Sequence, residues 1–135
     1  MIASIPSKIT KIGFCALENC IFLKNVFFQN NSKLTIIDSY AFSNTSLSFI
    51  SIPKQVVEIG SYAFYRCFNL TKINFQSGSK LIEINDYAFS NSSLKEISIP
   101  SSVSTIGKNA FSNCSKLEFI IFNKRSKLKI IQKEA

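Results

Sequence analysis

Phe28-Gln-Asn-Asn-Ser-Lys-Leu-Thr-Ile-Ile-Asp-Ser-Tyr-Ala-Phe-Ser-Asn-Thr-Ser-Leu-Ser-Phe-Ile-Ser-Ile-Pro53 returns as Phe75-Gln-Ser-Gly-Ser-Lys-Leu-Ile-Glu-Ile-Asn-Asp-Tyr-Ala-Phe-Ser-Asn-Ser-Ser-Leu-Lys-Glu-Ile-Ser-Ile-Pro100, an offset of 47 residues. A third, partial copy starts at Phe122 and carries Ser126-Lys127-Leu128. Self-similarity at a fixed period marks a solenoid, in which one small unit cannot bury its apolar face alone and stacks on its neighbours.

A shorter period lies inside the longer one. Ala16, Ala41, Ala63, Ala88, Ala110 and Ala135 are separated alternately by 25 and 22 residues. Two unit types therefore alternate. Odd units open on Ile5-Pro6, Ile52-Pro53 and Ile99-Pro100 and contain Ile12-Gly13, Ile59-Gly60 and Ile106-Gly107; even units carry a polar insertion and put Asp38 or Asn85 where the others have Gly. Gly, Asn and Asp enter the left-handed region most readily, so a left-handed corner is expected there in each coil. Ala-Phe follows in four units, at Ala41-Phe42, Ala63-Phe64, Ala88-Phe89 and Ala110-Phe111. A small residue beside a large ring in each coil reads as a stacked core layer. Leu23, Leu47, Leu70, Leu94 and Leu117 each open a Leu-x-x-Ile/Val-x-Ile/Phe run, and in Leu70–Phe75 the inward Ile73 and Phe75 alternate with Lys72 and Asn74, the pattern of a half-buried strand. The expected fold is a β-rich repeat solenoid over residues 1–135. It has one short parallel strand per coil, turns or short helical segments between, and about five coils plus a truncated sixth.

These residues resemble the BspA-type leucine-rich repeats, whose units run roughly Leu-x-x-Ile-x-Ile-Pro-x-x-Val-x-x-Ile-Gly-x-x-Ala-Phe-x-x-Cys. Ile52-Pro53, Val56, Ile59-Gly60, Ala63-Phe64, Cys67 and Leu70 occupy the marked positions, and Ile99 to Leu117 repeats the match. The resemblance implies a curved solenoid of the kind found in surface proteins of bacteria and protists, with roles in adhesion and protein binding. Neither end carries a polar capping segment, which implies a longer array, with neighbouring repeats or another subunit against the ends.

Composition narrows the chemistry. At 135 residues and 46% hydrophobic, the chain can build a continuous core. Sixteen Lys and Arg against eight Asp and Glu give a net charge of +8, which favours an acidic partner. The first twenty residues lack a signal-peptide pattern, and no run reaches the roughly 18 apolar residues a membrane helix needs, so membrane insertion is not expected. With no His and no glycine-rich phosphate loop, neither an activated nucleophile nor a nucleotide site is visible. The carboxylates do not converge. No enzyme activity, cofactor, metal or small-molecule substrate is expected. Cys20, Cys67 and Cys114 recur at the long period, with Thr45 and Ser92 between them. Alternate coils are about 9.6 Å apart, beyond disulfide reach, so free thiols are expected.

Two surfaces remain as binding candidates. On the outward strand positions, Phe27, Phe49, Phe119 and Ile121 stand out from polar neighbours such as Lys72 and Asn74, and exposed aromatics serve as interface anchors. On a coil edge, Lys8, Lys33, Lys80 and Lys127 share one repeat position, interrupted by Gln55 and Ser102. Nucleic acid is disfavoured, because the strand aromatics form no stacking platform and no known binding module is present. Five Asn-x-Ser/Thr sequons, at Asn30, Asn44, Asn69, Asn91 and Asn113, fall where turns are expected. Two roles stay open: a surface adhesin at the cell surface, from the resemblance, or an intracellular scaffold on an acidic cytoskeletal polymer such as a microtubule. The second draws on the missing signal, the free thiols and the charge.

Overall fold

The structure, a computed structural model, describes residues 1–135 as a parallel β-solenoid of six coils with no helix. In chain order the strands are β1 (Ile2–Ile5), β2 (Lys11–Ile12), β3 (Asn25–Phe28), β4 (Ile36–Ile37), β5 (Phe49–Ile52), β6 (Glu58–Ile59), β7 (Lys72–Phe75), β8 (Glu83–Ile84), β9 (Glu96–Ile99), β10 (Thr105–Ile106), β11 (Phe119–Phe122) and β12 (Ile130–Ile131). Each coil thus holds two strands, one of four residues and one of two, where the sequence led us to expect one. The even-numbered short strands form one continuous sheet in the order β12-β10-β8-β6-β4-β2.

The core is a single cluster of 29 buried residues running through the coils, so no coil has a core of its own. Val26, Ile50, Ile73 and Ile97 point inward from the long strands, and Ile12, Ile37, Ile59, Ile84 and Ile106 from the short ones. Between them Phe42, Phe64, Phe89 and Phe111 stack face to face, with centroids 5.2, 5.3 and 5.6 Å apart and planes within 9°. The adjoining alanines are buried, which lets backbone pass close to backbone beside the rings.

The turn segments form a third hydrogen-bonded wall. Tyr40, Phe42 and Asn44 donate backbone N–H groups to Ser61, Ala63 and Tyr65 of the next coil, and Tyr62, Phe64 and Arg66 repeat this to Asp86, Ala88 and Ser90. This geometry needs left-handed residues, and they are not where expected. Gly13, Gly60 and Gly107 do not have positive φ; the left-handed turn positions are Cys15, Tyr40, Tyr62, Tyr87, Asn109 and Glu134, then Asn19, Asn44, Arg66, Asn91 and Asn113, with Asn31 and Gly78 left-handed in the insertion loops. A left-handed Tyr costs on the order of 1–2 kcal/mol. The stacking of Tyr40, Tyr62 and Tyr87, at 4.7 Å and within 5°, and the coil-to-coil amide bonds offset it. Glycine has a different duty here. A Cβ on Gly60 would lie 2.6 Å from the Ser39 amide nitrogen, and one on Gly107 2.6 Å from the Asp86 nitrogen, so the repeat needs Gly where a coil leans on its predecessor.

The long strands do not form a continuous sheet. They pair only as β1–β3, β5–β7 and β9–β11. Proline explains where the pairing stops. In even coils the residue after the long strand donates back to the preceding coil, from Gln29 to Ile5 O and from Gln76 to Ile52 O, each at 3.1 Å. In odd coils that residue is Pro53 or Pro100, which has no N–H to give. The strands at those junctions are tied only at their entrances, by Ser48 N to Lys24 O at 3.4 Å and Lys95 N to Thr71 O at 3.3 Å. Even coils also use seven residues between long and short strand where odd coils use five, and this extra loop widens the same corner.

Candidate binding face

The outward positions of the long strands form two rows, fixed by the registers Ser51↔Asn74, Phe49↔Lys72, Ser98↔Ile121 and Glu96↔Phe119. All six candidates from this face are exposed, with Phe27 at 58%, Phe49 at 43%, Phe119 at 59% and Ile121 at 48%. They do not form one patch. Phe27 and Phe49 sit diagonally on β3 and β5, across an open junction, while Phe119 and Ile121 sit on β11. A polar band on β7 and β9 separates the two spots. There Asn74 Nδ2 donates to Ser51 Oγ at 3.0 Å, and Lys72 and Glu96 face the same gap without forming an ion pair.

At the second open junction lies a cleft of about 450 Å³, between β7, β9 and the insertion loop. Lys72, Asn74, Glu96, Ser98 and Ile121 line its strand side, and Gln76 to Ser79 close its other side. Lys72, Asn74 and Ile121 stand out in the sequence as outward residues, whereas the cleft is not foreseen there. Pro100 was its signal, since a proline ending every second strand leaves one edge unbonded.

The lysine edge holds its register. Lys33 N donates to Ser7 O at 2.8 Å, Lys80 N to Lys54 O at 2.8 Å and Lys127 N to Ser101 O at 2.9 Å, so the connecting segments stack coil on coil. Lys8, Lys33, Lys80 and Lys127 are all exposed, and Lys54, outside the original set, joins the same edge.

All four cysteines are free. Cys67 Sγ donates to Phe42 O and Cys114 Sγ to Phe89 O, each at 3.1 Å, with Thr45 and Ser92 hydroxyls alongside. Burial pushes both thiols up from their ordinary range, so they resist ionisation. Desolvation and then the Glu18 carboxylate push Cys15 up to about 11. Burial likewise raises the Tyr62 phenol, the neighbouring stacked tyrosines adding to the effect. Asp38 is held below the usual carboxylate range, first by its bond to Lys11 (2.7 Å) and then by the Ser39 amide. No group of three potential ligands is close enough to hold a metal.

The BspA type leucine-rich repeat region matches residues 2–118, in six copies. The chain belongs to the BspA-type leucine-rich repeat family. Among solved structures, the pneumococcal vaccine antigen PcpA is 32% identical with a TM-score of 0.89, over 92% of this BspA-type chain and 31% of its own. A leucine-rich cell surface protein from Faecalibacterium prausnitzii is 28% identical with a TM-score of 0.65, over 93% and 39%. A leucine-rich repeat protein from Bacteroides capillosus is also 28% identical, with a TM-score of 0.62, over 90% and 76%. The BspA-type chain thus spans about a third of the length of the first two relatives. No curated protein matches it by sequence. The repeat fold it shares is typical of protein-binding and surface proteins.

Proposed function

We propose that this chain is a non-catalytic, protein-binding module of a cell-surface adhesin, and that the outward face of its long strands makes the contact. The observation that carries the reading is the pair Phe27 and Phe49, large and exposed on adjacent strands beside a polar band with its own cleft. An aromatic pair ringed by Asn, Ser, Lys and Glu has the anatomy of an anchor with a hydrated rim. The relatives support the setting, since one is a vaccine antigen and another a cell surface protein. The alternative, an intracellular scaffold on an acidic polymer, draws on the missing signal pattern, the charge and the thiols and gains nothing from these relatives.

Beads displaying the chain should attach to target cells in a manner abolished by protease treatment of those cells. Phe27→Ser with Phe49→Ser should reduce attachment by about tenfold or more while circular dichroism stays unchanged. Attachment that survives the double substitution sinks the strand-face reading. Failure of the native protein to be shaved from intact cells by added protease sinks the surface location.

A further inference from the structure

The net charge of this protein is not spread over its surface. The six segments joining each long strand to the next short one contain eight basic residues, half the total, and no acidic one. The remaining eight basic residues balance all eight acidic ones, so the whole excess of +8 sits on one edge. None of these edge cations is ion-paired: the two salt bridges use Lys11 and Lys133. Lys33, Lys54 and Lys80 stand on three consecutive coils, about 5 Å apart along the axis, with Lys8 before them and Lys127 after. Between them lie amides and hydroxyls. Asn31, Ser32, Lys33, Lys54 and Gln55 border a shallow depression of about 400 Å³, and Gln29 and Gln76 border the next.

We propose that this edge binds a linear sulfated polysaccharide lying along the solenoid axis. A ridge with a cation on five of its six coils, the fifth carrying Ser102 instead, fits a ligand whose anions also recur along its length, which a folded acidic protein does not offer. Nucleic acid repeats too, but these segments contain no aromatic residue for bases to stack on and present no strand or helix to a groove. Ser, Asn and Gln between the lysines supply bonds to sugar hydroxyls, and unpaired ammonium groups suit sulfates as point charges. Lysines on consecutive coils call for more than one anion per pair of sugar rings, which separates a sulfated chain from one carrying a single carboxylate per pair. The inference does not rest on the strand-face reading, because it uses a different edge.

The test is the affinity of the intact chain for a fluorescent heparin decasaccharide, measured across a range of salt. Lys33→Gln, Lys54→Gln, Lys80→Gln and Lys127→Gln together should weaken binding by about tenfold or more and flatten its dependence on log salt. A charge-matched control, Lys24→Gln with Lys95→Gln, Lys108→Gln and Lys116→Gln, should lose no more than about threefold. Lys→Arg at the four edge positions should retain binding, with folding of every variant checked by circular dichroism. Equal losses in edge and control sets, or no binding at all, overturn the proposal. Tighter binding to single-stranded or duplex DNA of equal charge assigns the edge to nucleic acid instead. Equal affinity for an unsulfated, carboxylated polysaccharide overturns the role of sulfate.

Discussion

The short-strand wall and the long-strand wall are built by the same coils, yet one is continuous over six strands and the other is broken into three pairs. The short strands are only two residues long, but their neighbours donate to the preceding coil at every step, as Asp38 does to Ile12, Gly60 to Ile37, Asn85 to Ile59 and Gly107 to Ile84. The long strands have twice the length and lose continuity where Pro53 and Pro100 remove a donor. Strand length therefore does not decide sheet continuity here; the supply of backbone donors at the strand ends does. The interrupted wall is also the one with the exposed phenylalanines and the cleft.

The largest effect should come from the core that both walls share. Phe64 is fully buried between Phe42 and Phe89, and Phe64→Ala should cost about 3–5 kcal/mol in denaturant unfolding. A cost below about 1 kcal/mol would mean the ring stack is not continuous across the open junctions. Next, the continuous wall's tolerance can be probed where coils lean together. Gly60→Ala forces a Cβ onto the backbone of Ser39 and should cost about 1–3 kcal/mol, whereas Gly13→Ala, with nothing within 4 Å, should be close to neutral. Similar costs at the two sites would remove close approach as the reason for Gly.

A smaller effect concerns the ion pair between β2 and the residue after β4. The folded-state pKa of Asp38 is depressed, so its contribution is present above the ordinary carboxylate range and is lost as pH falls through the folded value. Asp38→Asn should lower the melting temperature slightly at pH 7, by less than about 1 kcal/mol in stability, and the two proteins should converge as pH falls below the ordinary carboxylate range through the depressed folded value. A gap that persists in acid would assign the loss to the Ser39 hydrogen bond rather than to charge. The smallest effect should be Pro53→Ala, which restores a donor facing β3. Its stability should change by no more than about 0.5 kcal/mol, while hydrogen exchange of the β5 amides slows toward that of β6. Unchanged β5 exchange would mean that proline is not what holds the junction open.

Much of this architecture is legible in the sequence because a solenoid repeats its causes. Ala-Phe recurring at alternate spacings of 22 and 25 residues marks the ring stack, and Cys20, Thr45, Cys67, Ser92 and Cys114 announce their column, which the Thr45 to Cys67 and Ser92 to Cys114 contacts bear out. The short strands escape because each has a single inward residue, such as Ile37 or Ile84, and two residues cannot display an alternation. The left-handed corner is misplaced because Gly is the residue most associated with positive φ, whereas at the corner Gly60 and Gly107 serve close approach and Tyr takes the unusual backbone. Lys72, Asn74 and Ile121 are identifiable as outward residues, but the missing Pro100 donor and the longer Gln76–Ile82 connection together explain why a cleft opens beside them.

The tyrosine column has an optical consequence. The chain contains no Trp and four Tyr; Tyr40, Tyr62 and Tyr87 stack nearly parallel, and Tyr65 stands edge-on to Tyr62. Phenol chromophores held face to face at 4.7 Å couple their electronic transitions, so the near-ultraviolet circular dichroism of this protein reports chiefly on whether the second, third and fourth coils remain stacked. The protein therefore carries its own label-free gauge of coil separation, located in the middle of the array where a parting of the repeats would be hardest to see by other means.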